Sequence, residues 1–422
     1  MAPSRESTPL LLEVCLVKIK GLVIVVDGFD KELFYLASMK FLKSFYYRPI
    51  LSVKPVVTPA CAVSLLTGLS PKEHGIIDFY DVNFHVVTAR NVHHIYFTDI
   101  LKLWGYRIGL WKVPMIYPKK YKGFTVWGLE APILTSNPYI NSVLRDINYN
   151  AEEIEYFRDD EQYYEIYKKR ARMEVDIFKF LVQKYRTDFS FFWLRYSDIL
   201  SHSLYKRRND LLVKYYEYLD KLIKELIEEL NPELWIVLGD HGFAEKKYII
   251  SIPKFLIDHG LIKWSNSLQK LTHYIAKKMS ADLIIKLGLL RSQGFLSFLN
   301  IGSYLIEFFR FQDTKLVGSE ESILTIAPYR EDIAEFLRKK LHDLITLEKI
   351  NNSLVIIPGK SIALTKIVLS KPIILNKSKL RIGIHWINTV AVSNHPEVLK
   401  LRSITGVRKL LLRALKRKIA KV

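Results

Sequence analysis

The sequence predicts an α/β protein built on a central, mostly parallel sheet with helices on both faces. The prediction rests on three short apolar runs, which are LVIVV at 22–26, SFFWL at 190–194 and LWIVL at 234–238. Continuous runs rich in β-branched and aromatic residues are typical of strands that are buried on both faces, as in parallel sheets. Segments with helical spacing separate these runs, and this alternation of strand and helix indicates the fold class.

Size and charge narrow the class of protein further. The chain has 422 residues, enough for one large α/β domain with an insertion, and its 49% hydrophobic content indicates that it folds. Lys and Arg number 63 against 43 Asp and Glu, a net charge of +20, which favours an acidic partner. Such a partner is a nucleotide, a nucleic acid or an anionic membrane surface.

Cysteine content and hydropathy indicate the cellular compartment in which the protein is expected. The two cysteines are too few for a disulfide framework and lie in apolar surroundings, so we expect reduced, buried thiols. The apolar run at 10–12 is too short for a signal peptide, and we find no segment suited to spanning a membrane. The expected location is the cytoplasm.

The first strand ends in Asp27-Gly28, which presents a carboxylate at the edge where α/β sheets place their chemistry. A helical segment and a loop then lead to Thr58. Thr is a preferred N-cap and Pro59 suits the first helical position, so a helix is expected from Thr58 to Thr67-Gly68. Its free N–H groups, those of Ala60 and Cys61 among them, favour an anion beside the Thr58 hydroxyl. Alone, this pattern indicates a capped core helix, and partners elsewhere must decide between the two interpretations.

The middle of the chain adds a helix over 97–104 and a strand over 106–111. The segment 112–150 is rich in Pro, Gly and aromatic residues without a clean period, which predicts a long loop. Lys112 opens this segment and could face a phosphate, although a solvated lysine is the favoured interpretation.

We divide the chain into a catalytic core over 1–245 and 331–406, an inserted helical or cap region over 246–330, and a basic helix over 407–422. Within the second part of the core, a helix is expected over 331–347, and strands are expected in 354–374 and 381–393.

Two further strand ends carry residues of the ligand type. Asp198 and His202 follow the SFFWL run and are four residues apart, so one helical turn would place both on one face, as metal binding requires. Asp240 and His241 follow the LWIVL run directly. Each pattern alone has an ordinary explanation, an exposed helical pair or an Asx turn. The convergence of three such strand ends indicates a site.

Taken together, these residues resemble the metal site of the alkaline phosphatase superfamily. The similarity is greatest to its type I phosphodiesterase/nucleotide pyrophosphatase branch, including archaeal-type phosphohydrolases. It is carried by VVDGFD, TPACAVSLLTGLSPKEHGIIDF, YSDILSHSLY and LGDHGF, in this order along the chain.

The resemblance implies two divalent metal ions, zinc in most members, with Mn²⁺ as the alternative. One ion would be held by Asp27, Thr58, Asp240 and His241. The other would be held by Asp198, His202 and a C-terminal histidine. His385, in Gly383-Ile384-His385, is our choice for that last ligand and His395 is the alternative. His74 matches a family histidine with a structural role.

The resemblance also implies a mechanism, with Thr58 as the nucleophile that forms a covalent phospho-threonine. An unassisted Thr hydroxyl is a poor nucleophile near neutral pH, and coordination to a dication would activate it. We therefore expect a phosphodiesterase or nucleotide pyrophosphatase with a small phosphate ester as substrate and no obligatory nucleic acid. The same site would also suit a phosphomonoesterase, a phosphonate hydrolase or a phosphomutase.

A second interpretation is that the protein is not an enzyme and binds nucleic acid or a membrane surface through the helix at 407–422. In this segment, VRKLLLRALKRKIAKV, leucines are grouped among Arg and Lys. The favoured alternative is a terminal helix that docks its leucines on the domain.

Overall fold

A computed structural model describes residues 19–128, 130–149, 159–263, 310–311, 313–318, 321–365, 369, 371–376 and 382–419. Within these residues, no helix combines the length and the apolar composition that crossing a membrane requires. The central part of the predicted insertion, residues 264–309, lies outside the described residues.

The secondary structure alternates between strands and helices through the first two thirds of the chain and is mainly β-structure afterwards. The strands are β1 (Gly21–Val26), β2 (Tyr46–Leu51), β3 (Ile108–Val113), β4 (Gly123–Trp127), β5 (Phe189–Leu194), β6 (Leu234–Leu238), β7 (Gly242–Glu245), β8 (Tyr248–Ser251), β9 (Arg310–Phe311), β10 (Thr314–Val317), β11 (Leu324–Ala327), β12 (Ile345–Ile350), β13 (Ser353–Pro358), β14 (Ile362–Thr365), β15 (Ile373–Leu375), β16 (Gly383–Trp386) and β17 (Asn388–Ser393).

The described helices are α1 (Lys31–Leu36), α2 (Lys40–Lys43), α3 (Thr58–Thr67), α4 (Pro71–His74), α5 (Phe97–Leu103), α6 (Pro138–Asp146), α7 (Asp160–Tyr185), α8 (Tyr196–Leu204), α9 (Asn209–Leu230), α10 (Ile252–Asp258), α11 (Glu331–Leu341) and α12 (Gly406–Ile419). Two short 3₁₀ helices span Ala89–Asn91 and Pro396–Lys400.

The central sheet has seven strands in the order β2-β17-β6-β1-β5-β3-β4. Strand β1 pairs in parallel with β5 and β6, and β3 pairs in parallel with β4 and β5. Strand β17 runs antiparallel to both of its neighbours, β2 and β6. The predicted mostly parallel sheet is therefore confirmed, and all three apolar runs are neighbouring strands at its centre.

Helices cover both faces of this sheet, as the apolar runs predict. Leu22, Ile24 and Val26 of β1 pack into a core with α7, α8 and α9. Val23 and Val25, which point to the opposite face, pack into a second core with α3, α5 and α12. Because successive residues of a strand face opposite sides, β1 must be apolar throughout to fill both cores.

The segment 112–150 contains more regular structure than the predicted loop. It includes β4, which pairs with β3 at the sheet edge, and α6, which Asn137 caps by accepting from the N–H groups of Tyr139 and Ile140. The loop prediction was wrong there, because Asn137-Pro138 is a recognisable helix start whereas β4 depends on its partner strand.

Strands from the second half of the chain form a five-stranded antiparallel sheet in the order β12-β13-β11-β10-β9. Strand β11 lies in the predicted insertion and pairs with β13, which lies in the predicted core. The boundary that we drew at 330/331 therefore falls inside one sheet, because β-pairing joins segments that the sequence separates by a helix. The apolar face of this sheet packs on α10 and α11.

The C-terminal helix α12 packs its apolar face against α3. Val407, Leu410, Leu411 and Leu415 are buried in the same core as the α3 side chains. In addition, the Arg408 guanidinium donates to the Thr67 carbonyl oxygen at the end of α3. The leucines are thus used in docking on the domain, which is the alternative that we favoured for this segment.

Candidate metal centre and nucleophile

Helix α3 begins at Thr58 itself, with Val57 in the extended N-cap conformation and Pro59 in the first turn. The predicted N-cap is therefore displaced by one residue. The Cys61 N–H bonds to the Val57 carbonyl oxygen at 3.0 Å, so the predicted phosphate donor Cys61 is already used within the helix. The Ala60 N–H precedes this first intrahelical bond and remains the better candidate.

One group of metal-ligand type lies on α8 and β16. The Nε2 atom of His385 is 3.0 Å from Oδ1 of Asp198 and 2.9 Å from Nε2 of His202. Nε2 of His202 is 3.5 Å from the same Asp198 oxygen. The structure therefore brings these three residues together, although His385 is far from the others in sequence.

A second group lies at the carboxyl ends of β1 and β6 and shares Asp198 with the first. Nε2 of His241 is 3.3 Å from Oδ1 of Asp27, 3.5 Å from Oδ2 of Asp240 and 3.9 Å from Oδ1 of Asp198. The Gly28 N–H donates to Oδ1 of Asp240 at 3.1 Å, which leaves Oδ2 facing the histidine. All six predicted Asp and His side chains thus lie in one continuous cluster.

The hydrogen-bond pattern assigns one tautomer to the three histidines. Nδ1 of His202, His241 and His385 lies within 3.3 Å of the carbonyl oxygens of Gly383, Gly242 and Val56, respectively. Because a carbonyl oxygen accepts and cannot donate, each Nδ1 carries the proton. The Nε2 lone pairs then converge on the cluster, as metal binding requires.

These residues fit divalent metal ions on two grounds. Oδ1 of Asp27, Oδ2 of Asp240 and Nε2 of His241 are buried and have no hydrogen-bond partner among the described residues. Buried polar atoms without a partner are costly, and facing Nε2 lone pairs repel each other. Ligand atoms bound at about 2 Å to one tetrahedral ion lie about 3.3 Å apart, close to the separations seen here.

Burial and mutual charge shift the acids of the cluster in opposite directions. Burial would raise the pKa of Asp198, but the imidazoles of His202 and His385 outweigh it and hold this pKa well below its usual range. Burial, together with the charge of Asp27, raises the pKa of Asp240 to about 8. Burial lowers the pKa of His241, but Asp240 and Asp27 reverse the effect and raise it overall. A cation between Asp27 and Asp240 would relieve their repulsion.

Thr58 joins this cluster through the backbone. The Val56 carbonyl oxygen, two residues before Thr58, accepts from Nδ1 of His385 at 3.2 Å. The Thr58 side chain is only 2% exposed and stands at the N-terminal end of α3. The start of α3 is therefore held directly against one of the candidate metal ligands.

The alternative ligand, His395, lies at the other edge of the central sheet. Strand β17 is antiparallel to β6, and Ala391 pairs with Leu238 at the carboxyl end of β6. The chain then runs toward the amino end of β6, where the Asn394 side chain accepts from the Trp235 N–H. His395 follows Ser393, and its Nδ1 atom accepts from the Glu397 N–H.

His74 is buried away from the cluster, in keeping with the structural role that the resemblance implies. Its Nδ1 accepts from the Ile76 N–H at 3.1 Å, so Nε2 carries the proton and donates to Oγ of Ser64 at 2.9 Å. A histidine that donates to a serine cannot act as its base, so this pair is not a nucleophile and base. Burial lowers the pKa of His74 to about 4.

Lys112 is buried in an ion pair, which corrects the prediction of a solvated lysine. Its Nζ donates to Oε1 of Glu174 at 2.7 Å, and the hydroxyl groups of Tyr149 and Tyr196 donate to the same oxygen. The Trp111 indole N–H donates to Oε2 at 3.2 Å. Burial would raise the pKa of Glu174, but Lys112 and the two tyrosines hold it below its usual value. Lys112 is therefore committed to Glu174 and is not a phosphate ligand.

Sequence reasoning missed the residues that surround Asp27. The Trp193 indole N–H donates to Oδ2 of Asp27 at 2.9 Å, and Nε of Arg195 lies 3.6 Å from the same oxygen. The Ser197 hydroxyl donates to the Asp27 carbonyl oxygen. In the sequence, Trp193 looks like a core residue of a strand and Ser197 like a residue at the start of a helix. The one available signal for a role at the site was their closeness to Asp198.

A mostly parallel sheet with Asp and His side chains gathered at its carboxyl edge agrees with a phosphoric ester hydrolase of the alkaline phosphatase type. The family model described as type I phosphodiesterase / nucleotide pyrophosphatase matches residues 22–286, and the chain therefore belongs to this metal-dependent family. A comparison with curated proteins found no match.

Solved structures with the same fold cover nearly the whole chain. Phosphonoacetate hydrolase from Sinorhizobium meliloti 1021, in complex with phosphonoacetate, is 12% identical with a TM-score of 0.61, over 94% of this chain and 96% of that chain. Murine ectonucleotide pyrophosphatase / phosphodiesterase 5, an inactive form in complex with AMP, is 12% identical with a TM-score of 0.58, over 94% and 95% of the two chains. The human form is 13% identical with a TM-score of 0.52, again over 94% and 95%. At these identities the likeness is one of fold.

Proposed function

We propose that this protein is a metal-dependent phosphodiesterase or nucleotide pyrophosphatase that uses Thr58 as a covalent nucleophile. The observation that carries the proposal is the convergence of six buried or partly buried Asp and His side chains beside the start of α3. Membership of the family supports the reaction class.

Two divalent ions, zinc in the first instance, would be held by the residues of the cluster. Asp27, Asp240, His241 and Thr58 would hold one ion, and Asp198, His202 and His385 would hold the other. When bound, the ions would lower the pKa of the Thr58 hydroxyl and stabilise negative charge on the leaving oxygen. Aspartates and histidines suit zinc, and Mn²⁺ remains the alternative.

The chain itself supplies the nucleophile and its setting. The Thr58 hydroxyl loses its proton to water and its oxygen forms a bond to phosphorus, while the bond from phosphorus to the leaving ester oxygen breaks and that oxygen takes up a proton from water. Water then cleaves the phospho-threonine, which restores the hydroxyl and releases the second product. The Ala60 N–H and the positive end of α3 favour the negative charge of the bound phosphate group. Burial of Thr58 keeps bulk water from competing with it.

The family and the charge of the chain support the proposed substrate class. A small phosphodiester or pyrophosphate bond, as in a nucleotide, agrees with the family description and with a net charge of +20. The similar hydrolase from Sinorhizobium meliloti was solved with phosphonoacetate and the murine protein with AMP. A phosphonate and a nucleotide are therefore the two substrates to compare directly.

The decisive experiment compares wild type, Thr58→Ala and Thr58→Ser on chromogenic phosphodiester, phosphomonoester and phosphonate substrates with Zn²⁺ or Mn²⁺. We expect chelator-sensitive diester cleavage that falls by at least about 10³-fold in Thr58→Ala, because the covalent step is lost. Thr58→Ser keeps a hydroxyl and should retain measurable activity. Full activity of Thr58→Ala would exclude Thr58 as nucleophile, and faster cleavage of the monoester or phosphonate would reassign the substrate.

A further inference from the structure

We propose that Trp193 is a positioning residue that orients the carboxylate of Asp27 for metal binding. The proposal rests on the proposed function in one respect, which is that Asp27 holds a metal ion. Trp193 is a fully buried residue of β5, on the strand that neighbours β1. It is not itself one of the candidate metal ligands.

The segment from Trp193 to Ser197 holds Asp27 at every polar atom except one. The Asp27 N–H donates to the Leu194 carbonyl oxygen at 2.9 Å, and the Ser197 hydroxyl donates to the Asp27 carbonyl oxygen. In the side chain, Oδ2 accepts from the Trp193 indole N–H at 2.9 Å and has Arg195 at 3.6 Å. The remaining atom, Oδ1, faces His241 and has no hydrogen-bond partner among the described residues.

This arrangement makes the two carboxylate oxygens different. An aspartate without such support can rotate about its χ2 angle and present either oxygen. The indole N–H is a donor only, and it is fixed by the packing of the ring in the core between the sheet and α3. It therefore ties up Oδ2 and leaves Oδ1 as the single oxygen directed at Nε2 of His241, 3.3 Å away.

The same segment continues into the other half of the site. Ser197 is followed directly by Asp198, which contacts His385 and lies near His241. The contacts to Asp27 therefore also fix the distance between the first turn of α8 and the end of β1. Partners of metal ligands commonly change metal affinity by about 10- to 100-fold when they are removed. We expect an effect of this size for Trp193.

The test is the metal affinity of Trp193→Phe, which removes the N–H and keeps an aromatic ring. Zn²⁺ affinity would be measured by competition with a chromophoric chelator, and Co²⁺ absorption would report the coordination geometry. We expect about 10- to 100-fold weaker binding of one equivalent of Zn²⁺ and an altered Co²⁺ spectrum. Both readouts are independent of turnover.

Trp111→Phe is the matched control. Trp111 is likewise fully buried, and its indole N–H donates to the buried carboxylate of Glu174, whose hydrogen-bond donors among the described residues do not include a contact with Asp27. Both variants lose ring volume and one hydrogen bond between an indole and a carboxylate, so their losses of stability should be similar. Trp111→Phe should nevertheless bind Zn²⁺ as wild type does. If Trp193→Phe does not fold, Ser197→Ala removes another contact of the same segment and should weaken Zn²⁺ binding by about tenfold.

The outcomes separate this inference from the proposed function. Zn²⁺ and Co²⁺ binding by Trp193→Phe that equals that of wild type and of Trp111→Phe would overturn the role of Trp193. Equal weakening in both variants would also overturn it, since the effect would then be general. A wild-type protein that binds no divalent ion at all would instead overturn the metal mechanism itself.

Discussion

The positions of His385 and His395 relative to the strands determine which of them lies in the cluster of Asp and His side chains. Both follow plausible patterns in the sequence, yet His385 lies on β16 within the cluster and His395 lies beyond the far end of β17. Between them, β17 runs along the central sheet away from the cluster, from Asn388 to Ser393. The antiparallel direction of this strand therefore separates the two candidates.

The first prediction concerns these two histidines. His385→Ala should remove about one equivalent of bound metal per chain, because Nε2 of His385 contacts both Asp198 and His202. His395→Ala should leave the stoichiometry unchanged and cost about 1 kcal/mol of stability, since it caps a short helix. Elemental analysis of the purified, dialysed variants measures both. The reverse pattern would transfer the ligand role to His395.

The second prediction concerns His74 and pH. The pKa of His74 is lowered by burial to about 4 in the folded protein, against about 6.5 in an unfolded chain. Between these values the unfolded chain binds a proton that the folded protein does not, so folding is disfavoured as pH falls. The contribution of His74 is complete above pH 6.5 and declines toward pH 4, by up to about 3 kcal/mol.

Urea unfolding of wild type and His74→Gln at several pH values between 7 and 4 measures this effect. The loss of stability on acidification should be smaller in His74→Gln, even if the variant is less stable at pH 7. His93→Gln is the control, because it removes an exposed histidine and leaves the buried His74 in place. Identical pH dependence in wild type and His74→Gln would contradict the assignment.

At the scale of elements, the contact between α12 and α3 links the C-terminus to the start of the site. The sequence predicts the basic helix and its leucines correctly, and the structure shows that these leucines cover α3. Lys409, Arg413 and Lys416 remain exposed on the outer face. The apolar half of the helix is therefore used internally, and the basic half faces solvent.

The third prediction tests this docking. Leu411 is 1% exposed, so Leu411→Ala should lower the free energy of unfolding by about 2 to 5 kcal/mol. Leu412 is only partly buried, and Leu412→Ala should cost clearly less. Chemical denaturation of both variants measures the difference. Equal, small effects would mean that α12 contributes little to the stability of the domain.

Lys112 and the segment after it mark the limit of sequence reasoning at this scale. The partner of Lys112 is Glu174 on α7, and its other contacts come from Tyr149 and Tyr196. These residues are distant in sequence, so neither spacing nor composition could indicate that the lysine is buried. Strand β4 was missed for the same reason, since it exists as a strand through its pairing with β3.

At the scale of the whole molecule, the cluster of Asp and His side chains concentrates negative charge in the interior. Asp27, Asp198 and Asp240 are all buried at the carboxyl edge of the sheet. Without cations, their mutual repulsion and burial oppose folding, as the raised pKa of Asp240 indicates. Bound metal should therefore raise the free energy of unfolding of the whole protein, in addition to supporting catalysis.

The fourth prediction is that chelation destabilises the protein reversibly. A ligand at a free concentration about 1,000-fold above its Kd contributes about 4 kcal/mol to the free energy of unfolding, so the unfolding temperature should fall on chelation and recover when Zn²⁺ is restored. In Asp27→Asn the shift should shrink, because one ligand is lost. Scanning fluorimetry or calorimetry measures both proteins. An unfolding temperature that does not respond to metal in wild type would argue against a metal in this cluster.

The sequence by itself determined the α/β class, the three central strands and the residue types that stand at their ends. These features depend on local periodicity, and the carboxyl ends of parallel strands share one edge of the sheet. The tertiary structure alone decided which histidine completes the cluster, that Lys112 is buried against Glu174, and that Trp193 holds one oxygen of Asp27. Each of these depends on contacts between segments far apart in the chain, where burial and hydrogen bonding are set by packing and not by neighbouring residues.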